Sequence, residues 1–109
     1  MTVSTVRIDL VHLDGCAVLA VVGEIDIASA AELQDALAWV SISNVPIVLD
    51  FAGVTFMDSA GIQALLSACP AGREGAGSIV IRNAQRQVQL VLKVTGLDWL
   101  LEQKPRHAA

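Results

Sequence analysis

The sequence predicts an α/β fold: a mixed, mostly parallel sheet of four to five strands with helices packed on it, in the order β-β-α-β-α-β-α. Three observations carry that expectation. The chain opens with a strand–turn–strand pattern, and two later apolar runs, Ile47–Phe51 and Ser78–Arg82, alternate with segments of helical period. Hydrophobic residues make up 54 % of the 109 residues and charged residues 17 %, so a core is within reach of one domain. We expect a single domain over residues 1–109, with its core over about 5–103 and a frayed tail at 104–109.

Each element has its own signal. Val6, Ile8 and Leu10 alternate with Arg7 and Asp9, the pattern of a half-buried strand. Asp14-Gly15 is a hairpin turn signal, and Cys16–Val22 reads as a continuous apolar strand buried on both faces. Ser29-Ala-Ala-Glu32 has the form of a capping box, with the Ser29 hydroxyl accepting from the Glu32 N–H. Ala30, Leu33, Leu37 and Val40 then recur at helical spacing, for a helix closing near Trp39.

Ile47–Phe51 is the next strand, and Gly53–Asp58 reads as a loop. A second helix is expected over Ala60–Cys69, with Ile62, Leu65, Leu66 and Cys69 on one face and Pro70 as its stop. Gly72, Gly75 and Gly77 form a turn before the strand Ser78–Arg82. Asn83 is placed to cap a third helix carrying Val88, Val91, Leu92 and Thr95 on one stripe. Gly96 is its left-handed C′ residue, with Leu97 giving the accompanying apolar contact. Asp98–Gln103 is a short amphipathic remnant.

The charge and motif content narrows the function. Seven basic against eleven acidic residues give −4, with no Lys/Arg cluster, so a nucleic-acid interface and a basic membrane-binding face are not expected. The longest apolar run, Ala17–Val22, is far below the length of a membrane helix, and cytoplasmic residence is the default expectation. Cys16 and Cys69 form no CxxC pair and are read as reduced and packed. His12 and His107 have no ligand spacing with them, so no metal or cofactor is expected. The glycines at 72, 75 and 77 do not follow the phosphate-loop spacing.

The informative segment is Val48–Leu66. A strand ends, the chain turns, and a helix begins at Asp58-Ser59-Ala60-Gly61. Ser59 therefore stands at or beside a helix N-terminus, where unpaired N–H groups and the helix dipole favour an added negative charge. Asp58 is placed to cap that helix and to repel a phosphate on its neighbour. The plain alternative for Ser59 is a capping role.

This segment resembles the hallmark of the STAS domain, specifically of bacterial anti-sigma factor antagonists, here as Phe56-Met57-Asp58-Ser59-Ala60-Gly61. A second motif of that family stands as Gly23-Glu24-Ile25-Asp26. The resemblance covers roughly residues 5 to 100, with the elements in the same order. It implies a binding protein, not an enzyme, whose unmodified form captures an anti-sigma factor that is also a serine kinase and so frees a sigma factor. It further implies phosphorylation at Ser59, a serine phosphatase as a further partner, and partner contacts around Asp58, Ser59, Ala60, Gly61, Glu24 and Asp26. Ala60 stands where a second hydroxyl is common, which leaves Ser59 as the nearby acceptor, and Leu101–Ala109 offers only a stub of the longer final helix some members carry.

Glu24 and Asp26 could form a catalytic carboxylate pair, but they fit better as residues that end a strand and orient its loop. Asp50 reads as a hydrogen-bonding residue of the adjoining loop, and Gly61 either permits close approach of a partner or packs the helix. Trp39 and Trp99 read as core or rim. A hydrolase would need Gly-x-Ser-x-Gly around Ser59, and only Gly61 fits. The rival function is a STAS subunit held permanently in a larger complex, such as a lipid-transport ATPase or a stress-signalling assembly. Oligomeric state is left open.

Overall fold

The computed structural model describes residues 5–68 and 79–102. Four strands stand side by side in the order β1-β2-β3-β4: β1 (Val6–Leu13), β2 (Cys16–Ile25), β3 (Ile47–Met57) and β4 (Ile79–Arg82). β1 and β2 are antiparallel, while β2–β3 and β3–β4 are parallel, giving the expected mixed, mostly parallel sheet. The helices are α1 (Ala30–Ser41), α2 (Ser59–Ala68) and α3 (Arg86–Val94), followed by a 3₁₀ turn at Asp98–Leu100. Expectations for Cys69, Pro70, Gly72, Gly75, Gly77, Ser78, His107 and the tail fall outside the described residues.

The hairpin forms for the predicted reason. Asp14 and Gly15 both take positive φ, 50° and 76°, the pair of angles a two-residue turn needs to match strand twist. β2 differs from expectation. Ala17, Leu19 and Val21 are buried, whereas Cys16, Val18 and Ala20 are half-buried and Val22 is exposed. Only one face of β2 is covered by the core, so its unbroken apolar run does not signal burial on both sides.

The core lies on that one face. Leu19, Val21, Leu49, Phe51 and Ile81 of the sheet join Leu33 and Leu37 of α1, Leu65 of α2, and Val88 and Leu92 of α3 in a single cluster. Full burial of side chains of this size contributes roughly 1.5–3 kcal/mol each and holds the helices on the sheet. α2 buries Ile62, Ala64 and Leu65, but Leu66, expected on the same face, is half-exposed.

Two further boundaries move. β2 runs on to Ile25 and β3 to Met57, so the expected loop at Gly53–Asp58 is mostly strand. The two strands stay paired past register shifts at Ala20/Val22 and Gly23/Glu24, so Gly53, which read as the start of a loop, stands in the ladder opposite Val22. Asn83 does not cap α3: it sits at φ 62° and its side-chain amide donates to Asp50 Oδ1 at 3.3 Å. Gln85, in an extended conformation, is the N-cap residue instead. At the other end, Gly96 takes φ 79° and the Leu97 N–H donates to the Leu92 carbonyl at 2.8 Å, the predicted Schellman closure.

β4 pairs with the Ile47–Asp50 part of β3, so β3 extends beyond it. There α3 takes over. The Gln85 amide donates to the Ala52 carbonyl at 2.9 Å and the Gln87 amide to the Thr55 carbonyl at 3.0 Å.

Candidate functional site

The sheet brings the two sequence motifs together. Glu24 pairs with Phe56 and Ile25 with Met57 in the parallel ladder, and the Asp58 N–H donates to the Ile25 carbonyl at 3.2 Å. The Gly23–Asp26 and Phe56–Gly61 segments therefore share one end of the sheet, at the C-terminal ends of β2 and β3.

Ser59 is the first residue of α2 and is exposed. Its hydroxyl has no hydrogen-bond partner among the described residues. Asp58 does the capping: its Oδ1 accepts from the Ala60 N–H at 2.9 Å, and its carbonyl accepts from Gly61 and Ile62. The division of labour is physical. A cap residue must turn its side chain back on the helix, and because Asp58 does so, the next hydroxyl points away and stays accessible.

Gly61 is buried. A Cβ there would meet Met57 Cγ at 2.5 Å and Ile25 Cγ2 at 2.8 Å. Of its two readings, the structure supports helix packing: the missing side chain lets α2 seat against β2 and β3. Ala60 is half-buried beside it.

Gly23 has φ 119°, and a Cβ there would lie 2.0 Å from the Thr5 carbonyl oxygen. That oxygen accepts from the Glu24 N–H at 3.0 Å, and the Thr5 hydroxyl donates to the Glu24 carbonyl at 3.0 Å. The close approach ties Thr5 to Glu24 just past the end of the β1–β2 ladder, and the Glu24 side chain is exposed.

Asp26 is half-buried and its Oδ1 accepts from the N–H groups of Ala28 (3.0 Å) and Ser29 (3.2 Å). Its carboxylate orients its own loop, as expected for a residue ending a strand. Ser29 corrects the capping-box expectation. It occupies the N-cap position of α1, but it is fully buried and its hydroxyl makes no cap bond. The hydroxyl donates to the Glu24 carbonyl at 2.7 Å and accepts from the Asp26 N–H at 3.0 Å. A buried hydroxyl is held by the partners within reach, and here the loop behind it supplies them. Glu32 is left exposed.

Asp50 Oδ1 accepts from the Ala52 N–H at 3.1 Å as well as from Asn83, in keeping with its expected local role. Trp39 and Trp99 are exposed rim residues, and Cys16 is a half-buried free thiol. Among the described residues no cluster of His, Cys, Asp or Glu could hold a metal ion, and no helix is long and apolar enough to cross a membrane.

Two residues at this end escaped the sequence reading. Ile27 is 86 % exposed in the turn after Asp26, and Phe56, the partner of Glu24 near the end of β3, is 46 % exposed. Phe56 was legible as part of its motif, though not as a surface residue. Ile27, a lone apolar residue in a capped turn, had no periodicity to mark it.

Comparison with known proteins agrees with this geometry. An anti-sigma factor antagonist from Mycobacterium paratuberculosis superposes with a TM-score of 0.78 at 24 % identity, covering 93 % of this chain and 86 % of that one. The anti-sigma factor antagonist SpoIIAA in its unphosphorylated form gives 0.68 at 21 % identity, covering 92 % of this chain and 90 % of that one. The phosphorylated form of SpoIIAA, a Bacillus cell fate determinant, gives 0.67 at 18 % identity over 92 % and 93 %. These likenesses establish a shared fold. A family model described as "Mlab, STAS domain" matches residues 6–102, nearly the whole chain, and on that match the chain belongs to the STAS domain family.

Proposed function

We propose that this chain is an anti-sigma factor antagonist that works by partner switching, with Ser59 as its phosphorylated residue. The observation that carries the reading is the Ser59 hydroxyl: exposed, unbonded among the described residues, and at the first position of a helix already capped by Asp58. In the unmodified state the surface formed by Asp58, Ser59, Glu24, Ile27 and Phe56 docks an anti-sigma factor with serine kinase activity and releases the sigma factor. Ala60 borders that surface. Asp26 shapes it from within its turn, and Gly61 from beneath.

Phosphorylation adds about −1.5 to −2 charges beside the Asp58 carboxylate and exposed Glu24. Docking then has to desolvate a dianion among like charges, while the exposed N-terminus of α2 keeps the modified protein folded. A loss of roughly 3 kcal/mol, about a hundredfold in affinity, makes a working switch. A serine phosphatase resets it. Cytoplasmic action fits the reading, and no catalysis by this chain is involved.

The test is to incubate the protein with ATP and the candidate kinase, map phosphate by mass spectrometry, and compare kinase binding by wild type, Ser59→Ala and Ser59→Asp. Label on Ser59, with binding kept by Ser59→Ala and lost by Ser59→Asp, supports the reading. Label elsewhere, or tight binding by Ser59→Asp, sinks it.

A second reading has one observation behind it: the matching family model is named for Mlab and not for an antagonist. In that case the chain is a standing STAS subunit of a larger complex. A stable assembly purified from cells and indifferent to Ser59→Asp would favour it.

A further inference from the structure

Two exposed surfaces of this chain complement each other. Between β1 and α1 runs an open groove of about 520 Å³, floored by Ile8, Leu10 and Leu19 and walled by Ala36 and Trp39. It continues past Trp39 into a second hollow of about 270 Å³ between His12 and Ile42. Trp39 is 71 % exposed, a large apolar area for a free molecule to leave in water. Glu32 and Asp35 stand on the α1 wall, both exposed and neither ion-paired among the described residues.

The second surface is the outer ridge of α3. Val88 and Leu92 are buried, which puts Arg86, Leu90 and Val94, each four residues from the next, in one outward row. Leu90 is 53 % exposed and Val94 85 %. Arg7 pairs with Asp9 and Arg82 with Glu102, so among the described residues Arg86 and its neighbour on the ridge, Lys93, are the Arg and Lys side chains without an ion pair. Arg86 also lies in the first turn of its own helix, where the dipole disfavours a cation and no acidic residue offsets it.

The structure assigns these two surfaces to each other: the α3 ridge of one copy docks in the β1–α1 groove of a second copy. Length, apolar anchors and charge all match. Glu32 to Trp39 spans about 10.5 Å along α1, and Arg86 to Val94 about 12 Å along α3. Laid in the same direction as α1, the ridge sets Arg86 at Glu32 and Asp35, Leu90 over Ala36 and Val94 against Trp39. Such seating of a helix in a groove through apolar residues one turn apart is a common mode of recognition. The pairing also brings cations to carboxylates in a chain whose net charge of −4 otherwise keeps copies apart.

Within one chain α3 packs on β3 and the 3₁₀ turn, while the groove lies at the β1 edge beyond β2, so a ridge fills only another molecule's groove. The contact is therefore heterologous. Each docked pair leaves one groove and one ridge open, and association continues instead of stopping at a dimer.

The test is sedimentation equilibrium at low salt over about 10 µM to 1 mM, with circular dichroism confirming the fold of each variant. Wild type associates, and its average mass climbs past that of a dimer as concentration rises. Trp39→Asp spoils the groove and Val94→Asp the ridge, so each alone is monomeric. Mixed in equal amounts they form a dimer and nothing larger, because each keeps the half the other lacks. Leu90→Asp takes the place of Val94→Asp should that variant fail to fold. Glu32→Lys with Asp35→Lys weakens association about tenfold, and adding Arg86→Glu with Lys93→Glu to the same chain restores it to within about threefold. A wild type still monomeric at the highest concentration overturns the inference, as does one that stops at a dimer. So does a mixture of the two blocked variants that stays monomeric, or a fourfold charge swap no better than the acid-side pair alone.

Discussion

Replacing Gly23 with alanine separates a conformational penalty from a steric one. Two terms add. At φ 119° an L side chain is strained by about 1–2 kcal/mol. The new Cβ also lies 2.0 Å from the Thr5 carbonyl oxygen, a main-chain atom that cannot swing aside. Relieving the overlap pushes the start of β1 away and breaks the Glu24 N–H and Thr5 hydroxyl bonds, at about 1 kcal/mol each. The sum is about 3–4 kcal/mol, a large part of the 5–15 kcal/mol typical of a whole domain.

Gly15 is the control. It has φ 76° but nothing within 4 Å of its Cβ position, so Gly15→Ala costs only the conformational term, about 1 kcal/mol. Urea unfolding of both variants measures the difference directly, and in thermal melts Gly23→Ala falls by roughly 13–17 °C. If the two variants unfold at the same denaturant concentration, the close approach of Thr5 to Gly23 does not govern this corner.

Other outcomes follow from the same geometry. Ser29→Ala costs about 1–2 kcal/mol by urea unfolding, because it removes the acceptor of the half-buried Asp26 N–H and leaves the Glu24 carbonyl with the Thr5 hydroxyl alone, while Glu32→Ala changes stability by less than about 0.5 kcal/mol; a true capping box would make both matter. Phe51→Ala, in the centre of the cluster, costs about 3–5 kcal/mol in the same assay. Asp58→Ala removes the cap on α2 and costs about 1 kcal/mol, seen as faster amide exchange at Ala60.

The outline of the fold was legible because its signals are local. Asp14-Gly15 needs only its own dihedral angles to make a hairpin, and Gly96 with Leu97 closes α3 from within a few residues. What the sequence hid depends on contacts across the sheet. Gly53 read as the start of a loop, since nothing local shows that its parallel neighbour Val22 holds it in a strand past a register shift. Asn83 resembles a helix cap until Asp50, 33 residues earlier, is beside it. Ser29 and Glu32 have capping-box spacing, but burial of Ser29 turns its hydroxyl to the loop behind. At the candidate site Asp58 and Ser59 stood out from their motif, whereas the exposure of Ile27 became visible only once the Asp26 turn was in place.

The glutamine amides on the Ala52 and Thr55 carbonyls constrain how anything can grip this end of the molecule. With those acceptors already engaged, a visiting chain finds little main chain to zip onto along β3. Recognition there has to read side chains. A partner reading main chain would barely notice one altered residue, whereas a partner reading a few side chains can be turned away by a single changed hydroxyl.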